Sequence, residues 1–548
     1  MASFQIPLFG FVIFILVRFV FGLGLSLAPI SRDLQFAVML GLDADTVILN
    51  QTQFRKAVDT IVSAGSLITA EYADIPIDHD DPSVGTYKNR YWVSDKAYAP
   101  GGPVFVYDAG ETNAESIAQF ILTNASRSIF KNFVEEFHGV GIAWEHRYYG
   151  DSMPFPIDLA TPPDRFKYLN YQQALADLPY FARNFNRTIA NQTLAPTITP
   201  WIMVGGSYAG IRSAFTRDKY PDVIYAALAS SAPVEARIDM SVYFDQVYRG
   251  MVSNGYGNCT KDLQAANFYI DQQLMTTETA ADVKRLFYFS ETTSNEDFVS
   301  ALANIYNTFQ SYGMGGGNTS LGSLCDYLER DPSSNATAGS NGLAPLVGNG
   351  TIAKRLANWP MLVPIINASN QVDFNLSKQI TDSPSLYCWT WQYCSQWGYF
   401  QSDNRGSRSL LSRYLTLDYF QKKCYWEFPR AVENGLLPKA PQTAAVNNET
   451  GGWWMRPSNV FWSGGSFDPW RTLSPLSTED IAPQGVEPTT EIPACNVETG
   501  EKQVFGYIME NAVHASDFLI DFAPGVKSRG YFTDALKAWL PCFKPDHK

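Results

Sequence analysis

Short apolar runs alternate with amphipathic stretches along the first part of the chain. Four runs have the length and composition of buried strands, at 103–107, 139–145, 201–204 and 223–228. Two stretches, at 171–184 and 208–220, repeat apolar residues at the spacing of a helix face. This alternation predicts a mostly parallel sheet with helices on both faces, which is the α/β class.

The segment ahead of these runs is predicted to lead into the sheet. Residues 54–67 have helical spacing, and residues 87–94 alternate apolar and polar side chains in the way of an edge strand. We therefore expect one helix and one edge strand before the first buried strand.

The pattern changes after Pro233. Helical spacing dominates from 236 to about 440, with helices predicted at 240–251, 261–275, 280–289 and 295–309. Residues 313–351 are rich in Gly, Asn, Ser and Thr, which predicts a long exposed loop. Strand character returns at 460–463 and again at 504–509. The sheet is therefore predicted to be interrupted by a large helical insertion.

The amino terminus has its own signature. Residues 6–28 are largely apolar and are broken by Arg18, which predicts a signal peptide at 1–28. No other run approaches the roughly 18 apolar residues that a membrane helix needs. We expect a secreted protein, or one in the lumen of an acidic vacuolar or lysosomal compartment, with no stable membrane association after signal removal.

The net charge limits the classes of partner that the protein is expected to bind. The net charge of −13 argues against nucleic acid and against an anionic membrane surface. Eleven Asn-x-Ser/Thr sequons support passage through a secretory lumen, at Asn50, Asn124, Asn186, Asn191, Asn258, Asn318, Asn335, Asn349, Asn367, Asn375 and Asn448. They are therefore predicted glycosylation sites.

The seven cysteines show neither a CxxC pair nor the spacing of metal ligands, so no metal site is predicted. In an oxidising compartment most of them would be paired, with one left over. Their spacing alone does not determine which cysteines pair.

Ser207 lies between an apolar run and a helical stretch, in the sequence Gly205-Gly-Ser-Tyr-Ala209. A serine in a tight strand-to-helix turn is typical of a nucleophile elbow, which admits only small residues two places before and after it. Gly205 and Ala209 meet that requirement. The turn would point the amide of Tyr208 toward a developing oxyanion. The alternative is an ordinary Gly-Ser turn in a βα unit.

A nucleophilic serine needs a base, and the chain has five histidines: His79, His138, His146, His514 and His547. In α/β-hydrolases the residues follow the order serine, acid, histidine, which excludes the first three. His547 is next to the last residue, where chains fray. His514, which follows the strand at 504–509, is therefore the predicted base.

The acid should lie on a turn after a strand, between Ser207 and His514. Asp468 follows the strand at 460–463 and a glycine turn, so it is predicted to orient His514 and stabilise its charged form. Asp517 is the rival, but three residues from the histidine it suits a helix cap or a salt bridge better.

A second oxyanion donor is expected in the loop after strand 103–107, where the amides of 109–111 are candidates and Gly110 is the predicted donor. Glu111 has two interpretations of equal weight. It either receives the amino terminus of a substrate or only braces the loop.

Several blocks of the chain resemble the prolyl-carboxypeptidase family of serine peptidases, and the resemblance covers most of its length. The blocks are Glu145-His-Arg-Tyr-Tyr-Gly150, Gln173-Ala-Leu-Ala-Asp-Leu178, Gly205-Gly-Ser-Tyr208, Trp389-Thr-Trp-Gln-Tyr-Cys394 and Asp468-Pro-Trp470. Three segments depart from the family pattern. Ala209 replaces a glycine of the elbow, and Ala109-Gly-Glu-Thr112 stands where the family has Gly-x-Glu-Gly. The histidine segment, usually Gly-Ala-His-His, reads Ala-Val-His-Ala, so His514 lacks a second histidine behind it. None of these departures removes a predicted catalytic residue.

The resemblance implies an α/β-hydrolase sheet with a large inserted helical cap domain. The predicted segments are a signal peptide (1–28), the first part of the hydrolase domain (29–235), the cap (236–442) and the second part of the hydrolase domain (443–548).

It also implies cleavage of peptides after proline, or alanine, through an acyl-enzyme without metal or cofactor. Trp470, Ile211 and, from the cap, Trp391 are predicted walls of a proline slot, with core packing as the alternative for all three. The resemblance implies a disulfide between Cys394 and Cys424, and a pair between Cys495 and Cys542 is conjectured.

The predicted partners are proline-containing peptides, with a homodimer as a further expectation. Two other functions stay open. An esterase or lipase would keep the fold with different substrates, and a non-catalytic binding protein would keep only the hydrolase scaffold.

Overall fold

The computed structural model describes residues 29–63, 67–124, 126–158, 160–189, 191–331, 334, 336–370 and 384–545. The predicted signal peptide, His547 and the sequons at Asn335 and Asn375 lie outside these residues. The described strands are Glu71–Pro76 (β1), Thr86–Ser94 (β2), Val104–Asp108 (β3), Val140–Trp144 (β4), Thr188–Ile189 (β5), Gln192–Thr193 (β6), Trp201–Gly206 (β7), Ile224–Ser230 (β8), Arg237–Asp239 (β9), Gly398–Phe400 (β10), Val460–Gly465 (β11), Glu487–Thr489 (β12) and Gln503–Met509 (β13).

Nine of these strands form one sheet in the order β1-β2-β4-β3-β7-β8-β11-β13-β12. The first two pairings of that order, β1 with β2 and β2 with β4, are antiparallel, and the later ones are parallel. Strands β3, β4, β8 and β11 are buried along their whole length, which explains their continuous apolar runs. The predicted α/β-hydrolase sheet is confirmed.

The strand predicted at the edge, residues 87–94, is not at the edge. It is β2, which has β1 on one side and β4 on the other. The edge strand on this side of the sheet is β1. It was not predicted because its residues Glu71-Tyr-Ala-Asp-Ile-Pro76 are half-buried at best over the first four positions and carry two charges. An exposed, charged edge strand has little apolar signal to detect.

Helices cover both faces of the sheet. The helices before and between its strands are Pro29–Leu40 (α1), Ala44–Leu49 (α2), Gln51–Ser63 (α3), Glu115–Thr123 (α4), Ile129–Glu136 (α5), Tyr171–Arg183 (α6) and Tyr208–Lys219 (α7), and a last helix runs over Ala523–Trp539. The predicted helix at 54–67 corresponds to α3, which begins and ends a few residues earlier.

The insertion between β8 and β11 is mainly helical in its described residues. Its helices are Val242–Ser253, Gly257–Gln273, Thr277–Leu286, Asn295–Leu302, Phe309–Tyr312, Leu321–Glu329, Ala344–Val347, Asn349–Ala357, Leu362–Asn370, Pro384–Gln392, Leu417–Glu427, Pro429–Glu433 and Thr443–Thr450. Strands β9 and β10 pair in parallel at its base. The domain boundaries at 235 and 442 stay a prediction.

The long exposed loop predicted at 313–351 is wrong for part of its length. Leu321–Glu329 is a helix whose residues Leu321, Leu324 and Leu328 are fully buried. Three leucines spaced three and four apart form one apolar helix face. The Gly, Asn, Ser and Thr residues around them lowered the average hydrophobicity and concealed that face.

Three disulfides are present among the described cysteines: Cys259–Cys325, Cys394–Cys424 and Cys495–Cys542. Cys388 is left over, and it is buried. Two of the pairs are the ones expected, while Cys259–Cys325 joins two cap helices that were not predicted to meet.

The sequon asparagines that the structure describes are all at least partly accessible to solvent, with six exposed: Asn50, Asn186, Asn191, Asn318, Asn367 and Asn448. In the described part of the chain, no helix is both long and apolar enough to cross a membrane.

Candidate active site

Ser207 lies in the turn between β7 and α7, with φ 60° and ψ −130°. A positive φ at a residue other than glycine is strained, and such strain is typical of a nucleophile elbow. The turn is tight because a Cβ on Gly205 would lie 2.2 Å from the carbonyl oxygen of Ala209. The Ser207 amide donates to the carbonyl of Ser230 at 2.8 Å, which fixes the turn to the neighbouring strand.

His514 and Asp468 come from two adjacent parallel strands. His514 follows β13 and Asp468 follows β11, so both lie at the carboxyl edge of the sheet. The Nδ1 atom of His514 lies 2.9 Å from Oδ1 of Asp468, and the two side chains are 2% and 0% exposed. When Nδ1 carries the proton toward the carboxylate, Nε2 is left to accept a proton from a hydroxyl.

Ser207 and His514 line the same cavity, which has a volume of about 180 Å³. The elbow packs against the histidine segment, because a Cβ built on Gly206 would lie 3.7 Å from the Cβ of Ala515. The other walls are the loop at 108–113, the ring of Phe518 and the helix α1. The serine and the histidine therefore face one cavity at the sheet edge.

Asp517, the rival acid, has other partners. Its two carboxylate oxygens accept hydrogen bonds from the hydroxyls of Ser230 and Ser463, each at 2.5 Å. Burial raises the pKa of Asp517, and the two serine hydrogen bonds oppose that shift. These hydrogen bonds join the segment after His514 to the strands β8 and β11.

The loop after β3 uses most of its own amides. The Ala109 amide donates to the carbonyl of Trp144 at 3.0 Å, and the Gly110 amide donates to Oδ1 of Asp108 at 2.8 Å. The Asp108 carboxylate is held in turn by Arg212, whose Nε lies 2.6 Å from Oδ2. This arrangement does not support the prediction of Gly110 as second oxyanion donor, because its N–H is bonded to Asp108. The backbone N–H of Glu111 is also engaged, by the carboxylate of the same residue.

Trp470 lies beside the histidine, but it is not part of the lining of the Ser207 cavity among the described residues. Its ring centroid is 6.5 Å from that of His514, and it packs against Tyr399 at 5.3 Å and Tyr243 at 5.9 Å. These three aromatic rings form a compact apolar cluster next to the base.

Trp391 and Ile211 are further from the cavity lining. Trp391 packs against Phe166 at 5.1 Å and Phe428 at 5.3 Å, and it is 4% exposed. Ile211 is 1% exposed, in the first turn of α7. In the described chain neither residue lines the space that Ser207 faces, so packing accounts for both.

A buried network that the sequence did not reveal joins the elbow to the cap. The hydroxyl of Tyr208 donates to Oε1 of Gln392 at 2.9 Å, and Nε2 of Gln392 lies 2.5 Å from the hydroxyl of Tyr149. On the other side, Nε2 of His146 lies 3.1 Å from the Tyr208 hydroxyl, and burial holds the pKa of His146 well below its ordinary value. His146 is therefore a neutral partner of Tyr208.

Gln310 is the second cap residue that sequence reasoning missed. Its backbone carbonyl accepts the amide of His514 at 3.1 Å. Its side-chain Oε1 accepts the indole N–H of Trp470 at 2.8 Å and the hydroxyl of Tyr243 at 3.2 Å. A glutamine inside a helical stretch carries no sequence signal for this role, because its partners are 67 to 204 residues away.

Helix α1 brings charge to the cavity. Arg32 donates from Nη1 to the backbone carbonyl of Glu111, and Asp33 lies beside it in the lining. Burial raises the pKa of Asp33 to about 6, against the opposing charges of Arg32 and Arg55. Burial also raises the pKa of Glu111, opposed by Arg32. In the described chain, no cluster of three or more His, Cys, Asp or Glu residues could hold a metal ion.

The fold and the site define a class. Serine in a strained turn after the central strand of a largely parallel sheet, with a histidine–carboxylate pair at the same edge, is the α/β-hydrolase arrangement. A family model described as serine carboxypeptidase S28 matches residues 76–485. The chain belongs to this family of serine peptidases.

Curated relatives agree with that assignment. The chain is 27% identical over 73% of its length to a probable extracellular serine carboxypeptidase of Arthroderma benhamiae, and the match spans 59% of that protein. It is 24% identical to the serine protease vicPb of Bipolaris victoriae, over 79% of this chain and 83% of the relative. A shorter match, 33% identical over 30% of this chain and 32% of the relative, is to the lysosomal Pro-X carboxypeptidase of Mus musculus.

Among solved structures, a proline iminopeptidase from Mycobacterium smegmatis covers 85% of this chain and 100% of its own, with 10% identity and a TM-score of 0.34. Similarity at this level carries no argument about activity.

Proposed function

We propose that the protein is a secreted serine peptidase in which Ser207 is the nucleophile, His514 the general base and Asp468 the residue that orients it. The observation that carries this proposal is the 2.9 Å contact of His514 Nδ1 with Asp468, in a histidine that lines one cavity with an elbow serine. The three residues come from separate strand ends, and packing of a core does not require that convergence.

The reaction follows from these positions. Ser207 Oγ attacks the scissile carbonyl carbon while its proton passes to Nε2 of His514. The backbone N–H of Tyr208 stabilises the oxyanion. The C–N bond breaks as His514 gives its proton to the leaving amine, and water then attacks the acyl-enzyme with His514 again as base.

Cleavage after proline is the proposed specificity. The partial match to a relative named for Pro-X cleavage supports it. Trp470, whose ring centroid lies 6.5 Å from that of His514, is the proposed apolar neighbour of a proline ring, and Tyr243 and Tyr399 pack against it.

The proposal also includes a signal peptide at 1–28, glycosylation at the sequons and a lumenal or extracellular location. The boundaries of the cap at 236 and 442 belong to it as well. A homodimer stays a prediction without a structural argument.

The test is hydrolysis of paired peptide substrates that differ only in having proline or glycine before the scissile bond. We expect cleavage after proline, mapped by mass spectrometry, and a loss of about 10⁶-fold in turnover for Ser207→Ala. A loss below tenfold would refute the nucleophile. Preferential hydrolysis of carboxylic esters over both peptides would favour the esterase alternative, and no turnover of any substrate would favour a binding protein.

A further inference from the structure

Helix α1 forms a wall of the cavity that contains Ser207 and His514. Five of its residues line that space: Arg32, Asp33, Gln35, Phe36 and Met39. The helix lies outside residues 76–485, the part that matches the family model. This wall is therefore a feature of the present chain that the family match does not assign.

The helix is firmly attached to the rest of the molecule. Ile30, Leu34 and Ala37 are fully buried on its inner face. The end of the helix is also held, because Arg127 donates to the carbonyl of its last residue, Leu40, at 2.9 Å. Just after it, the hydroxyl of Tyr312 donates to the carbonyl of Leu42 at 2.8 Å. The wall is thus a fixed part of the folded protein.

The charges facing the cavity do not balance. Asp33 and Glu111 contribute two carboxyl groups, and Arg32 contributes one guanidinium, already bonded to the carbonyl of Glu111. Asp108 also lines the space, but Arg212 pairs with it. Arg55 is exposed and does not belong to the lining. An excess carboxylate at a desolvated surface favours a cationic ligand.

The side-chain amide of Gln35, which is in the same wall, is a second feature that points to a ligand. The Oε1 atom of Gln35 accepts the hydroxyl of Ser311 at 3.1 Å. Its Nε2 atom is buried and has no hydrogen-bond partner in the described part of the chain. A buried amide donor without a partner is uncommon in a native structure and suggests an acceptor supplied by a ligand.

We propose that Asp33 and Glu111 bind the protonated α-amino group of a peptide substrate while Gln35 donates to one of its carbonyl oxygens. This inference rests on the proposed function and gives the cleavage mode. A cavity of about 180 Å³, below the roughly 300–1,000 Å³ of common ligand sites, accommodates a short end of a peptide. The enzyme then releases a dipeptide, Xaa-Pro, from the amino terminus.

The inference is tested by the ratio of kcat/KM for two substrates that differ only at the amino group. The substrates are Ala-Pro-anilide with a free amino group and its N-acetylated form. We expect wild type to prefer the free amine by about 10–100-fold in kcat/KM, mainly through KM, as for a charge-assisted hydrogen bond. Asp33→Asn should bring this ratio close to one. Asp59→Asn, an exposed residue of α3 outside the cavity, is the matched control and should keep the ratio.

A binding measurement separates this inference from the proposed function. Titration calorimetry with Ser207→Ala protein needs no turnover, so it works whatever the identity of the nucleophile. We expect the dipeptide Ala-Pro to bind about 10–100-fold more tightly than N-acetyl-Ala-Pro, and the added substitution Asp33→Asn to remove that difference. Equal binding of the two dipeptides would overturn the inference. A larger loss of affinity on converting the carboxyl group of Ala-Pro to an amide would also overturn it, because Arg32 would then bind the dipeptide through its carboxylate.

Discussion

The sheet edge and its helical surroundings build the site in different ways. At the edge, Ser207, Asp468 and His514 each lie within a few residues of the end of a strand, so local geometry places them. In the surroundings, Gln310, Gln392 and Asp33 reach the site only because distant helices pack there. The comparison teaches that the chemistry is held by short-range structure, whereas its alignment and selectivity depend on long-range packing.

The largest expected effect concerns the two buried acids near His514, Asp468 and Asp517. Asp468 contacts His514, while the carboxylate of Asp517 accepts hydrogen bonds from Ser230 and Ser463 of the sheet. We expect Asp468→Asn to lower kcat by about 10⁴-fold, because the imidazole loses its orienting partner. Asp517→Asn should keep kcat within tenfold but lower the free energy of unfolding by about 1–3 kcal/mol. Steady-state kinetics and denaturant unfolding of the two variants provide the check, and a reversed order would contradict the assignment.

Gln310 tests the contribution of the cap. In Gln310→Leu the backbone carbonyl still accepts the amide of His514, but the indole of Trp470 and the hydroxyl of Tyr243 lose their acceptor. We expect kcat/KM for a prolyl substrate to fall about tenfold, and the free energy of unfolding to fall by about 1–3 kcal/mol. Gln272→Ala, on an exposed position of the cap helix Gly257–Gln273, is the control. Unchanged kcat/KM in Gln310→Leu would show that catalysis at the sheet edge does not depend on these hydrogen bonds from the cap.

The smallest expected effect concerns the cap alone. Burial and the nearby charge of Asp262 raise the pKa of Glu329 above its ordinary 4.5. A carboxyl with a raised pKa in the folded state contributes stability below its unfolded pKa, and that stability is lost as the pH rises through the folded value. Glu329→Gln should therefore leave stability at pH 4 nearly unchanged and increase it by about 1–2 kcal/mol at pH 8.

Thermal unfolding of wild type and Glu329→Gln at both pH values measures this. An equal change in stability at pH 4 and pH 8 would contradict the titration of Glu329. Activity with a prolyl substrate at pH 5 should be the same in both proteins, since Glu329 lies in the cap helix Leu321–Glu329 and outside the Ser207 cavity lining.

The sequence predicted the sheet well because buried strands leave a continuous apolar signal. Runs at 103–107 and 201–204 became β3 and β7, with boundaries shifted by one or two residues. The order of serine, acid and histidine along the chain was enough to nominate three residues for the edge. The strands were predicted from information within a few residues, whereas the catalytic residues were nominated from the order of candidates along the whole chain.

The other features of the fold and the site could not be predicted from the sequence, for a physical reason. The half-buried strand β1 and the helix Leu321–Glu329 carry mixed polarity, so only their neighbours explain their structure. The unavailability of the Gly110 amide depends on Asp108 turning back onto it. The position of α1 beside Ser207 depends on contacts with the cap and the loop after β3, and no local pattern encodes it.

Labelling with a fluorophosphonate, followed by peptide mapping, tests the central claim most directly. We predict one adduct on the oxygen of Ser207, formed at a rate that falls at least about 10³-fold in His514→Ala, because the hydroxyl loses its base. An adduct on another serine, or an unchanged labelling rate in His514→Ala, would contradict the account.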